Sequence, residues 1–148
     1  MSAENVTVRL AQRHDYQFEV RYGAGVPAIV GDEPPPLGQG AGPSPIELLA
    51  SAVGNCLSSS LLFALRKFKQ APEPLSAEVT AEIGRNAENR LRVLALRVRL
   101  TLGVPGASLA HLDRVLGQFE QFCTVTQSVA AGIPVSVEVF DSQGARLK

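Results

Sequence analysis

The sequence predicts an α+β fold with antiparallel sheets and one long helix. Runs of alternating apolar and polar residues occur at both ends of the chain, and a long stretch of small and apolar residues separates them. Two shorter helical patterns precede the last strand. Short turn sequences separate neighbouring strands, so we expect the strands to pair as hairpins rather than through helical crossovers. With no repeat and no internal boundary, residues 1–148 are expected to form a single domain.

The first third of the chain predicts three short strands and a loop. Residues 5–11 and 16–22 are β-rich, with a turn expected at residues 12–15. In the second run, aromatic residues and valine alternate with polar residues, which indicates one buried and one solvated face. A third short strand is expected at residues 28–30. The following Gly- and Pro-rich segment, residues 31–43, is a loop of a length that is often functional or mobile.

A long helix is expected to begin at Ser44. Ser44 is the N-cap, Pro45 takes the first helical position and Glu47 completes a capping box. The helical pattern continues to about Phe68. Because its middle is small or apolar nearly all round, we expect burial on most sides, in a core or a subunit interface. Gly54 costs roughly 1 kcal/mol relative to alanine, which predicts that another element approaches closely at this position.

The second half of the chain predicts a hairpin, two helices and a closing strand. Ser108 is positioned to cap an amphipathic helix, and Gly132 is positioned to end a second one. The expected ranges are 78–83 and 92–102 for the hairpin strands, 84–89 for the turn between them, 124–131 for the second helix and 135–140 for the last strand.

Composition excludes several classes of function. The formal charge is zero, with 14 basic and 14 acidic residues. The basic residues are scattered, so we expect no nucleic-acid partner. The N-terminus has neither the basic start nor the apolar run of a signal peptide. The most apolar stretch, residues 46–65, includes Glu47, Asn55 and four serines, which argues against a membrane span. We therefore expect a cytoplasmic protein with no membrane partner.

Two cysteines, Cys56 and Cys123, lie 67 residues apart (123 − 56). A permanent disulfide is unusual in a reducing cytoplasm, so a thiol pair without zinc-like spacing is best explained by redox chemistry. His14 and His111 are isolated, and no metal is expected. No convincing phosphate-binding glycine motif is present, and no cofactor is expected.

The two cysteines have different predicted surroundings. The helix neighbours of Cys56 are apolar apart from one hydroxyl: Ala52, Val53, Ser60 and Phe63. Such surroundings raise the pKa of a thiol unless a cation is brought in. Cys123 stands at a helix start, where backbone N–H groups favour a thiolate. The alternatives are that Cys56 is only a small buried hydrophobe, and that Cys123 is a buried residue beneath Phe119 and Phe122.

Two segments carry a resemblance to a known family. Residues 42–56, Gly-Pro-Ser-Pro-Ile-Glu-Leu-Leu-Ala-Ser-Ala-Val-Gly-Asn-Cys, resemble the first cysteine motif of the OsmC/Ohr family, whose names denote osmotic induction and organic hydroperoxide resistance. Residues 122–135 resemble its second motif. The resemblance covers nearly the whole chain. It implies an intertwined α+β homodimer with the cysteine-bearing helices at its centre. It also implies thiol-dependent reduction of organic hydroperoxides at the subunit interface.

The resemblance assigns a role to each cysteine. Cys56 would be the peroxidatic thiolate that becomes a sulfenic acid, and Cys123 would resolve it to a disulfide. An external dithiol would then reduce the disulfide. Peroxidase members use an arginine from the turn between the first two strands, and Arg13 is the best match here. The alternative for Arg13 is an ordinary exposed turn residue. Arg21 is a weaker candidate because it is expected to point outward from its strand.

Two departures from the family pattern point to an OsmC-like branch. Ile46 stands where peroxidase members usually carry a glutamate. Glu47 follows it, but nine helical residues before Cys56 correspond to ~13 Å along the axis, so Glu47 cannot touch that thiol in its own chain. Thr124 replaces the proline common after the second cysteine. The sequence therefore indicates two alternative functions: a thiol peroxidase, or a non-catalytic dimeric binding protein with an apolar interface pocket.

Overall fold

The computed structural model describes residues 2–148, which form two compact units, one up to Leu48 and one from Leu49 to Lys148. The predicted α+β class is confirmed. In chain order the strands and α-helices are β1 (Arg9–His14), β2 (Gln17–Arg21), β3 (Ile29–Gly31), α1 (Pro45–Lys67), β4 (Ser76–Arg85), β5 (Leu91–Thr101), α2 (Leu112–Gln118), α3 (Thr124–Ala130) and β6 (Val135–Phe140). Short 3₁₀ turns cover Gly106–Ser108 and Phe119–Phe122.

The N-terminal sheet is antiparallel in the order β1-β2-β3. Leu10 lies opposite Val20 across the first pair. The hairpin reverses at Asp15 and Tyr16, later than the predicted turn at residues 12–15. Asp15 has a φ of 48°, a left-handed conformation that aspartate tolerates in tight turns. β1 therefore continues to His14 before the chain turns back.

The expected division of β2 into a buried aromatic face and a solvated polar face was wrong. Val20 is buried, but Phe18 and Tyr22 are 39% and 38% exposed. Gln17, on the face expected to be wet, is only 8% exposed. The Gln17 side chain lies beside the buried carboxylate of Asp32 and contributes to lowering the pKa of that group.

The Asp32 carboxylate organises the long loop. It accepts hydrogen bonds from the N–H groups of Glu33, Gln39 and Ala41 at 2.8, 3.2 and 3.0 Å. The chain also passes very close to β3, because a Cβ at Gly42 would lie 1.7 Å from a carbonyl oxygen of that strand. The bonds to Asp32 order this long loop. Glycine is needed where the loop passes β3, because a side chain would not fit there.

The predicted start of α1 is confirmed. The Ser44 N–H donates to the Glu47 carboxylate at 2.7 Å, and the Glu47 N–H donates to the Ser44 hydroxyl at 3.2 Å, which is a capping box. The helix ends at Lys67, and Lys69 has a φ of 57°. Only one stripe of α1 is buried within the chain: Val53, Gly54, Leu57, Leu61 and Leu65.

The expected burial of α1 on most sides is therefore not found in a single chain. Phe63, outside the buried stripe, is 72% exposed. By length and composition α1 could cross a membrane, with a mean hydropathy of 1.7, but core helices pass the same test. The buried stripe belongs to the main hydrophobic core with residues of β5 and β6. The remaining residues of the helix are exposed or half-buried within the chain.

The close approach predicted at Gly54 is confirmed. A Cβ at this position would lie 2.7 Å from Cγ2 of Val79 in β4, well inside the 3.5–4.0 Å of an ordinary carbon contact. The absence of a side chain at Gly54 thus allows β4 to lie directly against α1, two residues before Cys56.

The C-terminal sheet has the order β4-β5-β6. β4 and β5 form the predicted antiparallel hairpin, with Val79 opposite Val98. β6 runs parallel to β5, with Val98 opposite Val137, so the expectation of antiparallel pairing throughout was wrong for this strand. The connection through residues 102–134 carries α2 and α3, and a crossover of this length can return a strand in parallel.

The predicted cap at Ser108 was also wrong. The Ser108 hydroxyl donates to the carbonyl of Pro105 at 2.7 Å, inside the first 3₁₀ turn. α2 begins only at Leu112, after His111 adopts a φ of 59°. The segment is nevertheless amphipathic as predicted, with Val115, Leu116 and Phe119 buried.

Candidate thiol site

α1 and the start of α3 bring the two cysteine side chains close enough for each thiol to shift the pKa of the other. Both are free thiols, Cys56 being partly exposed and Cys123 fully buried. Cys123 is held by its backbone. Its N–H donates to the carbonyl of Glu120 at 3.1 Å, and its carbonyl accepts from the N–H of Gln127 at 2.9 Å. The second sulfur is therefore fixed between a 3₁₀ turn and α3.

Polar groups surround the buried Cys123 thiol. Its Sγ lies 3.0 Å from the hydroxyl oxygen of Thr126, a residue that is itself buried. Burial raises the pKa of Cys123, but hydrogen bonds from Cys56, from the Thr126 hydroxyl and N–H, and from Ser60 together outweigh it and leave the pKa below its ordinary value. Hydrogen bonds donated to a thiolate favour the charged form.

The pKa of Cys56, by contrast, is raised above its ordinary value. Burial raises it most, and the hydrogen bond to Cys123 adds to the increase. The N–H groups of Val125 and Thr126, in the first turn of α3, act in the opposite direction but do not reverse the shift. Within one chain, burial and the neighbouring thiol therefore favour the protonated form of Cys56. A cation near Cys56 would favour its thiolate.

An apolar cavity of about 530 Å³ opens beside Cys56. Its size lies within the usual range for small-molecule sites. Cys56 contributes to the lining and Cys123 does not. The walls are mainly apolar and come from three segments of the chain, with Phe63, Ala64, Phe68, Val115, Phe119 and Phe122 among the lining residues. A molecule in this cavity can reach only one of the two sulfurs.

Two cationic side chains also line the cavity. Lys67 lies on the last turn of α1, and Arg114 lies on α2. The guanidinium carbon of Arg114 is 5.6 Å from the centre of the Phe68 ring, within the range of a cation–π contact. The cavity thus combines an apolar body, a thiol and two positive charges.

Arg13, predicted to activate Cys56, lies in β1 with an exposed side chain. The β1–β2 register shifts between Gln12 and His14, so Arg13 stands in an irregularity of the ladder. Such bulges redirect side chains and are frequent near active sites. Its action on Cys56 stays a prediction. Across residues 2–148, no three His, Cys, Asp or Glu side chains cluster as metal ligands.

Sequence reasoning did not identify Thr126, Lys67 or Arg114 as site residues. The spacing of Thr126, three residues after Cys123 at a helix start, could have indicated a hydroxyl turned back towards the thiol. Nothing local distinguishes Lys67 or Arg114 from other exposed cations, because the cavity that makes them neighbours is formed by separate helices.

The fold and the two neighbouring thiols define an α+β protein in which a long helix carries one of two cysteines. The chain belongs to the OsmC family, since the family model described as OsmC-like protein matches residues 38–138. This confirms the resemblance seen in the two cysteine motifs. A comparison with curated protein sequences gives no match.

Several solved structures share the fold. An OsmC-like protein of unknown function from Vibrio cholerae has a TM-score of 0.78 and 16% identity, covering 93% of this chain and 100% of that chain. An organic hydroperoxide resistance protein from Elizabethkingia anophelis gives 0.71 and 15%, covering 95% and 99%. The organic hydroperoxide resistance protein OhrB of Bacillus subtilis gives 0.67 and 13%, covering 90% and 97%. At these identities the similarity is one of fold.

Proposed function

We propose that the protein is a cytoplasmic thiol peroxidase that reduces organic hydroperoxides. One observation carries the proposal. Cys56 lines the apolar cavity, while Cys123 is fully buried, does not line the cavity, and lies close enough to Cys56 for each thiol to shift the pKa of the other. This arrangement suits a reaction in which the substrate meets one sulfur and the second sulfur completes the cycle. Family membership and relatives named for hydroperoxide resistance support the same reaction.

The reaction has three balanced steps. The Cys56 thiolate attacks the terminal oxygen of the hydroperoxide, the O–O bond breaks, and the alkoxide leaves and is protonated to the alcohol. Cys56 is then a sulfenic acid. The Cys123 thiolate attacks the sulfenic sulfur and displaces hydroxide, which leaves as water after protonation and gives a Cys56–Cys123 disulfide. An external dithiol reduces this disulfide by exchange and is itself oxidised to a disulfide.

Solvent access determines which sulfur of the disulfide the external dithiol attacks. Cys123 is fully buried, so the dithiol must attack Cys56, the sulfur that lines the cavity. Cys123 then leaves as a thiolate, and its lowered pKa, maintained by hydrogen bonds despite burial, makes it a good leaving group. No resident cofactor takes part in this scheme, since the external dithiol supplies the electrons.

The raised pKa of Cys56 means that the proposal needs a cation at this thiol. We assign this role to Arg13 in a homodimer with the intertwined arrangement of the family. Large exposed apolar side chains on each unit support an association of two copies. In the N-terminal unit Leu10 is 62% exposed, and in the C-terminal unit Ile83 and Leu91, which do not line the cavity, are 52% and 60% exposed. Apolar surface of this kind marks interaction sites.

One alternative remains, a non-catalytic dimeric binding protein that uses the same apolar cavity. The protonated state favoured for Cys56 within the chain supports it, as does Ile46 in place of the usual acidic residue. In this alternative the cavity binds an apolar molecule and the thiols do not turn over.

Steady-state turnover separates the two functions. Reduced protein is mixed with cumene hydroperoxide and dithiothreitol, and peroxide loss is followed for the wild type, Cys56→Ser and Cys123→Ser. The peroxidase proposal predicts turnover in the wild type and none in Cys56→Ser. Cys123→Ser should complete the first step but lose the intramolecular disulfide. Peroxide loss that is unchanged in Cys56→Ser, or absent from the wild type, would overturn the proposal. Circular dichroism verifies that each variant folds.

A further inference from the structure

We infer that Lys67 and Arg114 form an anion-binding end of the cavity, so that the protein selects ligands with an apolar body and a carboxylate at the end remote from Cys56. For the reacting end of the ligand this inference rests on the proposed function. For the charged end it rests on the geometry and charge of the cavity alone. The two residues are specificity determinants and take no part in the chemistry at sulfur.

Their lack of acidic partners is the first observation. Neither Lys67 nor Arg114 makes a salt bridge with an aspartate or glutamate among residues 2–148. Several other cations of the chain are neutralised by a carboxylate: Arg21, Arg66, Arg97, Arg146 and Lys148. The cavity therefore presents two positive charges, without an acidic partner in the described part of the chain, on a mainly apolar lining that also includes Ser59, Ser60 and Gln118.

The spacing along α1 is the second observation. Cys56 and Lys67 are eleven residues apart, close to three full helical turns, so both side chains leave the same face of the helix about 16 Å apart along its axis. Phe63 lines the cavity between them. This separation is comparable to half the ~30 Å hydrocarbon thickness of a bilayer, which is the reach of one acyl chain. A ligand of that length would place its two ends at the thiol and at the cations.

Arg114 adds geometric selectivity. It comes from α2, not from α1, and its guanidinium lies over the Phe68 ring. Stacking against an aromatic ring leaves the N–H groups of a guanidinium free to donate to a carboxylate in two parallel hydrogen bonds. Lys67 supplies a second, less directional charge. Together they favour a carboxylate over a neutral or cationic head group on the same apolar chain.

Binding of simple amphiphiles tests the inference without any peroxide chemistry. The protein carrying Cys56→Ser is titrated calorimetrically with decanoate and with decyltrimethylammonium, whose alkyl chains match and whose charges are opposite. Decanoate should bind at least about tenfold more tightly. The double variant Lys67→Gln with Arg114→Gln should lose this preference. Lys69→Gln, a matched charge loss just beyond the helix end and outside the cavity lining, should retain it.

Chain length gives a second readout. Each further methylene buried in the cavity should tighten binding about fourfold, and the double variant should keep this dependence because the apolar walls are intact. Equal affinity for the two amphiphiles, or a preference that survives in the double variant, overturns the inference. So does failure of both amphiphiles to bind, the result expected if a second copy of the chain fills the cavity.

Kinetics separate this inference from the proposed function. With an otherwise wild-type chain, the double variant should raise KM for a carboxyl-bearing alkyl hydroperoxide and leave kcat unchanged. Its KM for cumene hydroperoxide should not change. Selective decanoate binding without any peroxide turnover would contradict the peroxidase and leave the anion site intact. Turnover without a preference for the carboxylate would contradict the anion site and leave the peroxidase proposal intact.

Discussion

Gly54→Ala tests the helix–sheet contact that positions Cys56. A methyl group at this position would lie 2.7 Å from Cγ2 of Val79, about 1 Å short of an ordinary carbon contact. Val79 is β-branched and has little rotamer freedom. Either α1 moves away from β4 or Val79 leaves its preferred rotamer. Both responses weaken packing next to the thiol site.

The expected change in the free energy of unfolding combines two opposing effects. Overpacking a close contact costs roughly 1–3 kcal/mol, and alanine gains about 1 kcal/mol over glycine in a helix. Gly54→Ala should therefore destabilise the protein by about 1 kcal/mol. In a Val79→Ala background the clash is absent, so Gly54→Ala should raise the free energy of unfolding by about 1 kcal/mol. The coupling between the two positions is then about 2 kcal/mol, within the range for residues in contact.

Urea unfolding followed by circular dichroism measures this coupling across the wild type, both single variants and the double variant. Gly117→Ala is the matched control, because Gly117 is also helical but a Cβ added there would meet no atom within 4 Å. That variant should be stabilised by about 1 kcal/mol. If Gly54→Ala has the same effect with valine and with alanine at residue 79, the argument from close approach is refuted.

Three further variants test other local interactions. Ser44→Ala removes the N-cap of α1 and should lower the free energy of unfolding by about 1 kcal/mol in urea. Asp141 has a pKa lowered chiefly by the Gly106 N–H, so its stabilisation is present above the ordinary value of 3.8 and lost as pH falls through the lower folded pKa. Asp141→Asn should flatten the acid side of the Tm–pH curve, and an unchanged curve would contradict this. Thr126→Val removes a hydroxyl that lowers the pKa of Cys123, so ultraviolet titration should show its thiolate forming at higher pH, whereas an unshifted titration would rule out this role.

Features determined by neighbouring residues were predictable from the sequence. The capping box of Ser44 and Glu47 needs only two residues three positions apart, and it was located correctly. Gly54 was recognised because glycine inside a helix has a cost that some contact must offset. The β4–β5 hairpin followed from two alternating runs joined by a short turn.

Features determined by distant residues were not predictable. The parallel pairing of β6 with β5 depends on how residues 102–134 cross the sheet, and alternation within β6 is the same for either direction. Gln17 is buried beside the Asp32 carboxylate, which belongs to a later loop. Ser108 has the composition of a cap, but the carbonyl of Pro105 takes its hydroxyl.

The candidate site, too, was predictable only where neighbouring residues determine it. The two cysteine motifs identified both thiols and the family, and the apolar neighbours of Cys56 predicted the direction of its pKa shift. The cavity is formed by α1, α2 and the following 3₁₀ turn, so its cations became visible only when these segments were placed together. Which sulfur faces the cavity likewise depended on the packing of α3.

In the proposed reaction Cys56 reacts with the peroxide, and Cys123 converts the resulting sulfenic acid to a disulfide. Mass spectrometry of reduced protein after a single equivalent of cumene hydroperoxide tests this most directly. The expected product is a Cys56–Cys123 disulfide in the wild type, and in Cys123→Ser a sulfenic acid on Cys56 that dimedone traps. Thiols that stay reduced in the wild type, or a Cys56→Ser variant in which Cys123 is oxidised at the wild-type rate, would contradict it.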